Sequence, residues 1–237
     1  EILEAGYTTT QLKNDYTISD LSGSYSQTSI AAAGYTVSEL ADASFNATTL
    51  IASFVPSDLS GSYTQTEILE AGYTATQLKD TYTPTDLSGA YTQTEIIESG
   101  YTVSELADAS FNATTLIAAF VPSDLAGAYS QTEILEAGYT ATQLKDTYTP
   151  TDLSGTYTQT EIIESGYTVS ELADASFNAT TLTTTFVPSD LSGAYSQTEI
   201  LEAGYTATQL KDTYTPTDLS GTYAQTEIAD AGYLLDE

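Results

Sequence analysis

The chain has 237 residues, with 33 acidic side chains against 4 lysines and a formal net charge of −29, a surface that repels nucleic-acid phosphates and anionic lipid. His, Cys, Met and Trp are absent and every cationic residue is a lysine, so no nucleophile–base pair can be assembled, cysteine gives no clue to redox compartment, and no catalysis is expected. No apolar run approaches the ~20 residues of a membrane helix, and no membrane insertion is expected.

Glu1 falls in the middle of a repeat unit, which reads as a processed chain or a piece of a longer one. From Tyr7 onward all 25 aromatic residues, 19 Tyr and 6 Phe, fall in one series. The series runs Tyr7, Tyr16, Tyr25, Tyr35, Phe45, Phe54, Tyr63 and then Tyr73, where the pattern starts again after 66 residues. Each aromatic except the last is followed five residues later by Leu or Ile, as in Leu12, Leu21 and Ile30. The array therefore reads as residues 1–237 in blocks of approximately 1–66, 67–132, 133–198 and a partial 199–237. Each block has seven units of nine or ten residues.

The residue after each aromatic is Thr, Ser or Asn in 20 of 24 units, and the residue three further on is Glu, Asp or Gln in 20 of 24. That spacing predicts a helix N-cap closed by a reciprocal capping box. In the unit from Tyr63, Thr64 is the cap, Glu67 closes the box, and Tyr63 and Ile68 form a hydrophobic staple. Gly72 then takes the left-handed turn and Tyr73 packs back on Ile68. All six prolines stand directly after the cap position, where a missing N–H is harmless. Such helices are one to two turns long and too short to survive alone, so stacking must stabilise them. The predicted fold is an all-α superhelical solenoid. The alternative is a β-solenoid, suggested by alternating strings such as Tyr-Thr-Gln-Thr-Glu-Ile; its five-residue step is broken wherever Leu and the next aromatic are only four apart, as at Leu59 and Tyr63.

The segments Glu-Ile-Leu-Glu-Ala-Gly-Tyr-Thr-Ala-Thr-Gln-Leu from Glu67 and Glu-Ile-Ile-Glu-Ser-Gly-Tyr-Thr-Val-Ser-Glu-Leu from Glu95 resemble a decapeptide tandem repeat of bacterial, algal and giant-virus proteins, Leu-x-x-Ala-Gly-Tyr/Phe-Ser/Thr-x-x-Glu-Leu. The resemblance covers the whole chain at the level of spacing, although nine-residue and Pro-bearing units depart from it. It implies a short-helix array without catalytic residues.

Asn46, Asn112 and Asn178 each head an Asn-Ala-Thr sequon, and each also stands where other units carry a Thr cap. Every one of the 24 positions three after an aromatic is Ser or Thr, beginning Thr10, Ser19, Thr28, Ser38, Thr48, Ser57 and Thr66. This series reads as a hydroxyl ladder for O-glycans, hydration or a neighbouring chain, or as the true cap with the register shifted by two. Duplication also inflates its regularity. Acidic residues at Glu67, Glu70, Asp80 and Asp86 suit helix N-termini and solubility; no calcium loop motif accompanies them, and calcium is a minor alternative to an absence of cofactors.

The expected function is an extracellular or cell-surface structural protein: a stalk, spacer or fibre subunit. The alternative is a solenoid adhesion module recognising a protein or glycan. A third reading is ice or mineral binding through the ladder. Leu234 and Leu235 in the last unit, and the bare first unit, lack polar caps, so end-to-end or lateral self-association is expected.

Overall fold

A computed structural model describes residues 5–233. Among them are twenty-four short helical elements, one per unit, from Thr9–Leu12 to Gln225–Asp230; all are α-helical except a 3₁₀ turn at Ala47–Thr49. The described residues contain no strand, only isolated bridges such as Ser60 with Tyr63. The protein is an all-α solenoid of short helices, and the β-solenoid alternative does not hold.

The helices start where the capping residues place them. Thr64 is an N-cap with extended backbone. Its hydroxyl accepts the Glu67 N–H at 3.3 Å, and Glu67 accepts the Thr64 N–H at 2.8 Å. The same box forms at Thr36 with Glu39, Thr83 with Asp86 and Ser130 with Glu133. The cap is therefore the residue after the aromatic, and the ladder residues sit two places later, inside the first turn. Proline takes the first helical position, as at Pro84–Leu87.

The helices stop at four to six residues because the carbonyl of the buried Leu or Ile is captured by the chain turning away. In nine-residue units the next aromatic's N–H donates to it directly, as Tyr63 does to Leu59 at 3.0 Å. Ten-residue units place a positive-φ residue directly before the next aromatic, as Gly34 at 91°, Gly72 at 106° and Gly138 at 110°, whereas nine-residue units such as the one holding Gly61, at 128°, place it one residue earlier. Gly72 takes the turn expected of it, although the helix ends at Leu69 with Glu70 as C-cap. Where the block places Ser44, Ser110 and Ser176 at this point, serine itself takes φ of 65–67°, and the following aromatic reaches one residue further back, as Phe111 does to Leu106 at 3.0 Å.

The chain divides into two compact units, Glu1–Ala119 and Phe120–Glu237. Within each, helices pack on the helix two along, as Ala75–Leu78 does on Gln93–Glu98 in the first and Ala141–Leu144 on Gln159–Glu164 in the second. Two repeat units thus complete one turn of the superhelix, and a seven-unit block is not a whole number of turns. The core is the column of Leu and Ile between turns. Leu40, Leu59, Ile68 and Leu106 are fully buried in the first compact unit, as are Leu144 and Leu172 in the second, each worth about 2 kcal/mol of transfer free energy. Ala75 and Pro84 of the first compact unit are buried as well.

Candidate functional site

Two features repeat along the chain: a series of tyrosine hydroxyls bonded to backbone carbonyls of the preceding turn, and a polar groove beside Lys13, Lys79 and Lys145.

The aromatics do more than close helices. Tyr73, only 3% exposed, donates its hydroxyl to the backbone carbonyl of Phe54 at 2.7 Å. Tyr35 reaches Tyr16 in the same way at 2.8 Å, Tyr101 reaches Tyr82 at 2.5 Å and Tyr205 reaches Phe186 at 2.7 Å. Each bond spans two units, 18 or 19 residues, so it ties one turn to the turn before it. Burial pushes the hydroxyls of Tyr73, Tyr101 and Tyr167 up to about 12, helped by nearby carboxylates, which keeps them protonated as donors. These bonds were missed in the sequence, where Tyr and Phe read as interchangeable staples. The available signal was the unequal count of Tyr over Phe in one series.

Glutamines add a second tie. Gln65, Gln131 and Gln197 each donate a side-chain N–H to a capping carboxylate two units on: Asp86 at 3.1 Å, Asp152 at 3.0 Å and Asp218 at 2.9 Å.

The lysines occur once per block, at the C-cap of the helix that follows Tyr7, Tyr73, Tyr139 or Tyr205. Lys211 donates to the Gly232 carbonyl at 2.6 Å and lies 5.9 Å from the Tyr233 ring centroid. Lys13 makes the matching contacts with the Gly34 carbonyl and the Tyr35 ring. Beside three of the lysines lies an open groove. In the first compact unit one is lined by Lys79, Asp80, Tyr82, Tyr101, Glu105 and Asp108, with a volume of about 400 Å³; the equivalent at Lys13 is wider, about 580 Å³. The second compact unit has the same groove at Lys145, lined by Asp146, Tyr148, Tyr167, Glu171 and Asp174. Each groove holds one ammonium against three carboxylates. The Thr102 hydroxyl and backbone N–H, with Lys79 close by, hold Glu105 below the usual carboxylate range.

Among the candidates read from sequence, the ladder residues Thr10, Ser19, Thr28, Ser38, Thr48, Ser57 and Thr66 are all exposed, as are their later equivalents. They follow the cap rather than forming it, so the shifted register is set aside. Asn46, Asn112 and Asn178 stand at N-cap positions and are exposed. Asn46 Oδ1 accepts the Thr49 N–H at 3.2 Å and Asn112 Oδ1 the Thr115 N–H at 3.1 Å, whereas Asn178 makes no side-chain cap bond. Glu67 and Asp86 are bound up in capping boxes. Among the described residues no three carboxylates converge as metal ligands, and no helix is long and apolar enough to cross a membrane. Leu234 and Leu235, on which the end-to-end expectation rests, lie outside the described residues, as does Glu1.

No family model matches the chain, and no curated protein and no solved structure matches it either.

Proposed function

We propose that the protein is an extracellular or cell-surface structural element, a spacer or fibre subunit that associates with copies of itself. The observation that carries this reading is the uniform interior. A Leu or Ile is buried in every unit but the last, and tyrosine hydroxyls tie successive turns together, so among the described residues the interior is committed to joining unit to unit. The outer surface supports it too, being acidic and repeating the same exposed hydroxyl in every unit. The spacing resemblance to decapeptide tandem repeats is in keeping with a non-catalytic array. At Asn46 and Asn112 the cap uses Oδ1, and a glycan would use Nδ2, so capping and glycosylation are compatible at one side chain.

Immunogold labelling of intact source cells, paired with ultracentrifugation of the purified chain over a wide concentration range, tests the reading. Labelling outside the cell and concentration-dependent assembly are expected. A purely internal, monomeric pool overturns it. A second reading, an adhesion module, is favoured by the polar groove that returns at Lys13, Lys79 and Lys145.

A further inference from the structure

The tyrosines fall into two groups that the stacking alone does not explain. Where a hydroxyl has an acceptor two units back, the block uses Tyr: Tyr25, Tyr35, Tyr63 and Tyr73 all donate to such a carbonyl. Positions 45 and 54 carry Phe, and so do their equivalents one and two blocks on. One position breaks this rule. Tyr16, Tyr82, Tyr148 and Tyr214 keep a hydroxyl that donates to no carbonyl among the described residues, although their own backbone carbonyls accept from Tyr35, Tyr101, Tyr167 and Tyr233. A Phe would pack there as it does at Phe54. Three of these four tyrosines line the grooves that hold the block's one lysine.

We propose that each of these grooves is a binding site for a neutral oligosaccharide, one site per 66-residue block. Half-buried aromatic rings such as Tyr82 and Tyr148 offer a sugar ring an apolar face with a polar tip. The tyrosine hydroxyl, the carboxylates of Asp80 and Asp108 and the Lys79 ammonium supply donors and acceptors around it. Three carboxylates to one ammonium, on a chain of net charge −29, repel phosphorylated, sulfated or uronic-acid glycans. A basic peptide would be drawn to the whole acidic surface rather than to these grooves in particular, which favours a sugar. A site once per block makes the array multivalent, so weak single-site binding adds up on a polymeric glycan. Such binding does not depend on the architectural role.

The test is calorimetric titration of the full chain with cellohexaose, xylohexaose and mannohexaose, and with a heparin hexasaccharide as the anionic control. Saturable binding of at least one neutral hexasaccharide and none of heparin is expected. Replacing Tyr16, Tyr82, Tyr148 and Tyr214 together by Phe should weaken that binding at least tenfold without lowering the melting temperature. Should the quadruple variant melt early, the combined substitutions Asp42→Asn, Asp108→Asn and Asp174→Asn, all at exposed side chains, provide the same comparison. No neutral binding at millimolar sugar, heparin binding as tight as neutral binding, tightest binding to a lysine-rich peptide, or unchanged affinity in a folded variant would each overturn the proposal. Cell-surface labelling and self-assembly are read separately, so failure here leaves the architectural reading standing, and the reverse.

Discussion

At the scale of single residues, the hydroxyl of an internal tyrosine is what separates a tied turn from a merely packed one. Tyr101→Phe removes the 2.5 Å bond to the Tyr82 carbonyl and leaves that acceptor half-buried without its partner, so we expect a loss of about 1 kcal/mol and a lower melting temperature. Tyr82→Phe removes a hydroxyl that donates to no carbonyl among the described residues and should leave the melt unchanged. The raised hydroxyls also set an alkaline limit. Tyr73, Tyr101 and Tyr167 rise from 10.0 to about 12, so between those values the unfolded chain has lost protons that the folded chain keeps. Stability is then intact below about pH 10 and falls as the pH climbs towards 12. Melts across that window should drop steeply, and less steeply in a Tyr73→Phe, Tyr101→Phe, Tyr167→Phe variant. Val55, Val121 and Val187 stand at cap positions, 56–57% exposed, with no oxygen to accept an N–H. There Asp58, Asp124 and Asp190 each complete half a box by accepting the valine N–H. Replacing each valine by Thr should stabilise by about 1 kcal/mol per site, read as a stepwise rise in melting temperature.

At the scale of the helix, capping does what length cannot. Helices of four to six residues lie far below the ~12–15 at which an isolated helix becomes marginal, so each depends on its box and on the neighbour two units away. The carboxylates that close the boxes are held below their ordinary values: Glu39 by the Thr36 N–H and hydroxyl, Glu171 by the Thr168 hydroxyl and N–H. Because the folded values are lowered, this contribution is present above the unfolded carboxylate range near pH 4.5 and is lost as the pH falls through the folded values. A Glu39→Gln, Glu105→Gln, Glu171→Gln variant should therefore lose less melting temperature between pH 6 and pH 3 than the parent chain. These boxes were legible in the sequence because cap and partner are only three residues apart. The positive φ of Ser44, Ser110 and Ser176 was not: serine signals a cap or turn as readily as a left-handed residue, and only the reach of the following aromatic back to Leu40, Leu106 or Leu172 forces it there.

At the scale of the whole molecule, 33 acidic side chains face 4 lysines, and the one ion pair found among the described residues joins Lys145 to Asp146 at 3.7 Å. Repulsion between like charges therefore opposes the folded state, and salt should relieve it. Raising sodium chloride from 10 to 500 mM shortens the screening distance from about 30 Å to under about 8 Å, so the melting temperature is expected to rise monotonically across that range. A flat or falling response would mean that the charges are already spaced beyond mutual influence. Helix identity, unit length and block period were all readable from the spacing of the aromatics and caps. The grooves were not, since each is lined by residues of units two apart, Lys79 to Tyr82 and Tyr101 to Asp108.

By itself the sequence determined where each helix begins, which residue caps it, which Leu or Ile is buried and that the array is helical, because all of these are settled by interactions within five residues along the chain. Only the tertiary structure decided that two units make a turn, that a tyrosine hydroxyl closes on a carbonyl 18 or 19 residues earlier, and that one tyrosine per block is left over beside a lysine. Those outcomes depend on the curvature accumulated over successive turns. No local spacing encodes that curvature; it is fixed when the buried column of Leu and Ile closes up and brings distant backbone groups within hydrogen-bonding reach.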